Sequence, residues 1–158
     1  WPRICGIDFG FDHPTALIWI AWDRDEDEIY VYDAYRQAKA PPAVHAAAIN
    51  SRPAFIPVAW PHDGNRRDSM GNQGGNSIEE GIMFMLQKME DEKFHVFATL
   101  SDWWEEFRMY HRKEGKIVPL NDDLMSATRY AVMSLRFSVS GKDPTWTKDI
   151  RYGEYGII

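Results

Sequence analysis

The sequence predicts an α/β domain around one mixed central β-sheet, with an antiparallel three-stranded meander at its start and helices flanking it. Three observations carry this. Three strand-like runs come first, joined by short links that suit antiparallel neighbours. Segments with helical spacing then alternate with further short apolar runs. Finally, 158 residues with 44% hydrophobic and 14% aromatic content are enough for one packed core.

Residues 3–9 read as the first strand. Residues 15–22 are almost wholly apolar, as expected of a central strand buried on both faces. The run Asp23-Arg24-Asp25-Glu26-Asp27-Glu28 is a solvated turn. Residues 29–35, rich in Val and Tyr, form its hairpin partner. Pro41-Pro42 opens a short helix over 43–50. Residues 55–60 are an apolar strand ended by Pro61, and the glycine-rich 64–76 segment reads as a mobile loop. Ser77 and Glu80 form a capping box, and Ile78, Ile82, Met85, Leu86 and Met89 share one face of the helix that follows.

Residues 94–97 make a short strand. A helix over 102–112 ends near Gly115, with Trp103, Trp104, Phe107 and Tyr110 read as core in preference to base-stacking groups. Ile117 and Val118 supply a last short strand. The final helix starts near Asp122 and turns Leu124, Ala127, Ala131 and Leu135 inward. No period is visible after Phe137, so 138–158 is a tail without assigned structure in a single domain spanning 1–158.

Composition narrows the function. Cys5 is the only cysteine, which excludes an internal disulfide and a Cys/His zinc pattern; its place in a strand predicts a buried, inert thiol. There is no signal peptide or long apolar run, so a membrane partner is not expected and the chain reads as cytosolic. No Gly-x-x-x-x-Gly-Lys-Ser/Thr occurs, so ATP hydrolysis by that route is not expected. The net charge of −6 argues mildly against nucleic acid, but much of it sits in the acidic turn at 23–28.

The chemistry lies in the acids. Asp8 ends an apolar strand, in Gly6-Ile7-Asp8-Phe9-Gly10, where an ionised carboxylate needs a cation, a donor cluster or water. Asp63 follows the strand at 55–60, and Asp122-Asp123 open the last helix. If these three segments meet, a divalent metal makes the meeting stable. Carboxylates suit hard cations such as Mg2+ and Mn2+, and a helix N-terminus tolerates them. Taken singly, Asp63 also fits a turn and Asp122 an ordinary helix cap.

The order of the pieces carries a family resemblance. Gly6-Ile7-Asp8-Phe9-Gly10 runs on to Asp12-His13-Pro14-Thr15-Ala16, a strand ending in Asp63-Gly64 follows, and Asn121-Asp122-Asp123 opens a helix with Ala127-Thr128-Arg129-Tyr130-Ala131. Over residues 3–137 this resembles the C-terminal nuclease domain of the large terminase subunit of tailed double-stranded DNA bacteriophages. The resemblance implies a ribonuclease H-like fold and DNA cleavage with two metal ions, Mg2+ or Mn2+. Two ions about 3.5–4 Å apart can serve both ends of an in-line phosphodiester displacement. In that frame Asp8 bridges the metals, Asp63 holds one, and Asp123 holds the other with Asp122 as accessory. One common form of the last motif has an acid directly before Ala-x-Arg-Tyr; this chain has Ser126 there, so the choice between Asp122 and Asp123 stays open. Arg129 matches the motif's arginine in a structural role.

The resemblance further implies a substrate and partners. The expected substrate is concatemeric viral double-stranded DNA, cut with weak sequence preference during packaging. The expected partners are an upstream packaging ATPase domain, the portal protein and the small terminase subunit, in the host cell cytoplasm. The start at Trp1 without Met fits an excised piece lacking that upstream part. Arg66 and Arg67 are candidate phosphate contacts, as is His13, for which a plain Asp-His-Pro turn is the other reading. Other classes are a resolvase-type relative of the same fold and a passive metal or protein docking module. A sugar-kinase-like phosphotransferase also begins with Gly-x-Asp-x-Gly, but needs a second phosphate-binding turn and a longer chain.

Overall fold

A computed structural model describes residues 1–60, 76–118 and 120–141. Its centre is a five-stranded mixed sheet in the order β4-β1-β2-β3-β5. Strands β1 (Arg3–Asp8), β2 (Thr15–Asp23) and β3 (Glu28–Gln37) form the expected antiparallel meander, with Asp8 opposite Ala16 and Thr15 opposite Gln37. The outer strands β4 (Val58–Ala59) and β5 (Phe94–Val96) run parallel to β1 and β3. Strand β4 is shorter than the apolar run at 55–60: Phe55 and Ile56 pack beneath the sheet, and Pro57 contributes only its carbonyl, to the Cys5 N–H at 2.9 Å.

Alternation along β1 sorts its side chains to two faces. Cys5 and Ile7 join Leu17, Trp19 and Ile56 on the face covered by helix α1 (Pro42–Asn50). Burial pushes the Cys5 thiol up to about 12, so it is inert, as its strand position predicts. Ile4 joins Ala16, Ile18, Ile20, Ile29 and Val31 on the opposite face, packed against α2 (Asn76–Glu90), α3 (Ser101–Met109) and α4 (Asp123–Met133). Asp8 has the parity of Ile4 and Gly6, so it leaves the sheet on the side of these three helices.

Three sequence expectations need correction. The buried centre of α2 is Gly81, Met85 and Lys88, while Ile78 and Leu86 are exposed. Lys88 is buried because it donates to Asp27, side chain and carbonyl, which ties the acidic hairpin tip to α2. That tip is therefore anchored as well as solvated. Helix α3 stops at Met109, before the predicted 112, because Tyr110 is extended. Glu114 and Gly115, both with positive φ (53° and 76°), then turn a hairpin between β6 (Arg112–Lys113) and β7 (Lys116–Ile117). The expected helix starts at Asn76, one residue before Ser77, whose side chain, and with it the capping box, lies outside the described residues.

After α4 a 3-10 turn spans Leu135–Phe137, and Val139 then pairs with Arg3 through two backbone bonds of 2.9 and 3.1 Å. Helix α4 therefore runs antiparallel to β1, with its end beside the start of the strand. Residues 142–158 lie outside the described residues.

Candidate active site

The site is built where β1 and α4 cross. A Cβ at Gly6 would stand 2.1 Å from the carbonyl oxygen of Ala127 and 2.9 Å from the Ala131 Cβ, so only a glycine on the strand facing alanines on the helix permits this approach. From that crossing, two residues forward along β1 cover roughly 6.6 Å. Four residues back along α4 cover about 6 Å. The two steps bring Asp8 at the strand end level with Asp123 in the first helical turn.

The electrostatics agree with the placement. Burial pushes Asp8 up to about 6, and the charges of Asp123 and Asp122 push in the same direction while Arg129 opposes them. Asp122 and Asp123 are also raised, first by burial; the charge of Asp122 adds to the shift on Asp123. Among the described residues no cation forms an ion pair with Asp8, Asp122 or Asp123. Arg129 is buried, with its stem against Gly81 and its guanidinium 4.4 Å from the Tyr130 ring centre. Among the described residues it makes no direct ion pair. His13 is exposed in the β1–β2 loop, where a positive charge on its ring would favour ionised Asp122 and Asp123.

The β1–β2 loop is held by a reciprocal pair of hydrogen bonds. The Gly10 N–H donates to Thr15 Oγ1 at 3.2 Å, and the Thr15 hydroxyl donates to the Gly10 carbonyl at 2.8 Å. A Cβ at Gly10 would lie 2.4 Å from the His13 carbonyl oxygen, which accounts for the glycine two residues after Asp8. This closure carries His13 back over the end of β1.

Four sequence candidates, Asp8, His13, Asp122 and Asp123, are therefore gathered at one end of the β1–α4 crossing. Asp63, Arg66 and Arg67 lie outside the described residues, four or more positions beyond the end of β4. Among the described residues no three Asp, Glu, His or Cys side chains form a set that could hold a metal ion by themselves. The donors that do gather are carboxylate oxygens, the chemistry hard divalent cations take, and their mutual repulsion is what such a cation relieves.

One residue that the sequence reading passed over lies directly behind the site. Glu106 of α3 is fully buried. Its Oε2 accepts the N–H groups of Leu124 (2.7 Å) and Met125 (3.2 Å) at the start of α4, and its Oε1 accepts from Arg36 of β3 at 2.8 Å. Burial pushes Glu106 up to about 7, while the two N–H groups and Arg36 favour its charged form. A signal for it existed: Glu106 shares the helical stripe of Trp103, Phe107 and Tyr110, where a charge needs a reason. Of the aromatic residues expected in the core, Trp103, Trp104 and Tyr110 pack there, whereas Phe107 is exposed. Trp103 is buried, stacks on Phe107 at 5.1 Å, and donates its indole N–H to Thr128 Oγ1 at 3.0 Å.

A meander with parallel outer strands, crossed by a closing helix that brings acids to the end of the first strand, defines a ribonuclease H-like domain. The Terminase RNaseH-like domain family matches residues 5–80 and 72–135, and the chain belongs to that family. The chain is 37% identical over 159 residues to the large terminase subunit of Salmonella phage P22, a match covering 86% of this chain. It spans only 32% of that relative's length. The P22 large terminase nuclease domain has the same fold at a TM-score of 0.77 and 36% identity, covering 87% of this chain and 82% of that one. The large terminase nuclease domain of bacteriophage SPP1, solved with bound Mn, matches at a TM-score of 0.58 and 18% identity, covering 87% of each chain. At that identity the likeness is one of fold.

Proposed function

We propose that this domain is a metal-dependent endonuclease that cuts concatemeric viral double-stranded DNA during genome packaging. The observation that carries the reading is the gathering of Asp8, Asp122 and Asp123 at the β1–α4 crossing, each raised in pKa, in a chain of the terminase family. Such a cluster costs stability, and a packing role gives no reason to keep it.

Asp8 and Asp123, with Asp122 beside the latter and Asp63 from the segment after β4, would hold two divalent ions, Mg2+ or Mn2+. When bound, such ions supply a deprotonated water and neutralise charge on the leaving oxygen. The chain's own groups do the rest. Asp8 stands on a strand buried on both faces, so its carboxylate is fixed from the side of the sheet. Arg129 lowers the charge density behind it. His13, exposed at the rim, and Arg66 and Arg67 after Asp63 would position phosphates. None of these contacts reads a base, so cleavage is expected to be weakly sequence-specific.

In the full protein the substrate would be delivered by an upstream ATPase domain of the same polypeptide. The portal protein and the small terminase subunit would be partners in the packaging motor in the host cytoplasm. Among the described residues no helix is long and apolar enough to cross a membrane.

The experiment is incubation of the purified chain with supercoiled plasmid and Mn2+, beside Asp8→Asn and a chelator control. Nicking and linearisation that vanish in both controls are the expected result. Cutting by Asp8→Asn at the unaltered rate would sink the site assignment.

A further inference from the structure

Helix α4 has an unusual start. Asp122 occupies its N-cap position, and an aspartate there ordinarily accepts the N–H of the second or third helical residue. Here those residues are Leu124 and Met125. Asp122 makes no side-chain cap bond, and its backbone (φ −121°, ψ 15°) departs from the extended form typical of a cap. Both N–H groups are instead taken by Glu106, a residue of another helix. Glu106 is itself held from behind by Arg36 of the sheet.

We infer that Glu106 is a positioning residue of the proposed metal site: by capping α4 from α3, it releases the Asp122 carboxylate from cap duty and holds Asp122 and Asp123 toward Asp8. This deepens the nuclease reading and rests on it for the purpose of the site. The capping exchange itself stands on hydrogen bonds alone.

Two anchors then fix α4. The Gly6–Ala127 approach sets its distance from the strand, and the Arg36–Glu106–Leu124 chain sets its position along its own axis. A four-residue helical step is about 6 Å, so a slip of part of a turn would carry Asp123 away from Asp8. Arg36 also lies near enough to Asp123 to favour its ionised form.

If Glu106 is weakened, the nearest replacement cap is Asp122, which would be drawn onto the helix and lost to the site. Glu106→Gln weakens the cap with little change of shape, because a neutral amide oxygen is a poorer acceptor of the Leu124 and Met125 N–H groups than a carboxylate. The amide offers one acceptor and one donor group to three incoming donors, so at least one contact is released.

The test has a metal-free and a metal-bound arm on the 158-residue chain. In the first, urea midpoints are measured for Asp122→Ala in the wild-type and Glu106→Gln backgrounds. The expected result is a midpoint unchanged or raised in wild type, where Asp122 caps nothing, and lowered in Glu106→Gln, where it has become the cap. The same shift in both backgrounds overturns the inference. In the second arm Mn2+ binding is measured by calorimetry and plasmid nicking is titrated with Mn2+. Glu106→Gln should raise the Mn2+ dissociation constant and the half-maximal Mn2+ concentration by about tenfold, with KM for plasmid unchanged. Wild-type Mn2+ affinity and Mn2+ dependence in Glu106→Gln also overturn it. Opposite midpoint shifts in a chain that binds no Mn2+ would keep the capping exchange and overturn the metal-nuclease reading instead.

Discussion

Gly6 of β1 and Ala127 of α4 are in such close approach that a methyl group on the glycine would sit 2.1 Å from the alanine's carbonyl oxygen. That oxygen belongs to the helix backbone and cannot rotate away, so Gly6→Ala must push α4 off the sheet. The expected cost is about 1–3 kcal/mol, the range for overpacking a well-filled core. Urea denaturation reads it directly. Because the displaced helix carries Asp122 and Asp123, nicking should fall much further than stability does. A Gly6→Ala chain with wild-type stability and activity would show that the helix has room to give.

Asp8 should make the fold less stable than it could be. Its pKa is raised from 3.8 to about 6, first by burial and then by Asp123 and Asp122. An acid with a raised folded pKa holds its proton more tightly in the folded state, so the unfolded chain binds fewer protons through that window. Stability from this group therefore falls as pH rises from about 4 to about 6, and the full penalty is present above it. At 1.36 kcal/mol per pKa unit the penalty is roughly 2–3 kcal/mol. Asp8→Asn should raise the urea midpoint at pH 8 and flatten the pH dependence between 4 and 6. A variant less stable than wild type at pH 8 would mean that the carboxylate makes a stabilising contact in the free protein.

Divalent cations should reverse that penalty. A ligand that binds only the folded state at a hundred times its dissociation constant adds about 2.7 kcal/mol. For a domain near 150 residues this is on the order of 5–10 °C in melting temperature. Calorimetric scans with Mn2+ should show such a rise in the wild type, its loss on adding a chelator, and little rise in Asp8→Asn. Equal shifts in both proteins would place the ions elsewhere.

The sequence was most legible where one local rule dominates. The meander from Arg3 to Gln37 follows from apolar runs separated by turn residues, and the inward face of α4 follows from its spacing. Asp8, Asp122 and Asp123 were legible as candidates because acids at the ends of apolar elements need partners. Their meeting depends on the Gly6–Ala127 crossing, a contact between residues over a hundred positions apart that no local period encodes. Glu106 was legible only as a charge on the aromatic stripe of its helix. Its role depends on α4 presenting two N–H groups to it, a long-range contact that no local period encodes. The hairpin after α3 was misread because Gly115 suits a helix end and a two-residue turn equally, and Tyr110 decides between them.

Thr128 links the two helices behind the site, and its hydroxyl can be tested apart from its shape. It donates to the Leu124 carbonyl at 2.6 Å and accepts the Trp103 indole N–H at 3.0 Å, with both side chains buried. Thr128→Val keeps the volume but strands the indole N–H without an acceptor, at a cost of about 1–3 kcal/mol. Thr128→Ser keeps the oxygen and loses only a methyl group, so it should cost about 1 kcal/mol. If the hydrogen bond holds α3 against α4, Thr128→Val is the more damaging change and also weakens the Glu106 cap. Amide exchange at Leu124 and Met125 should then accelerate in Thr128→Val and stay near wild type in Thr128→Ser. Equal destabilisation by the two variants would assign the residue's contribution to methyl packing instead.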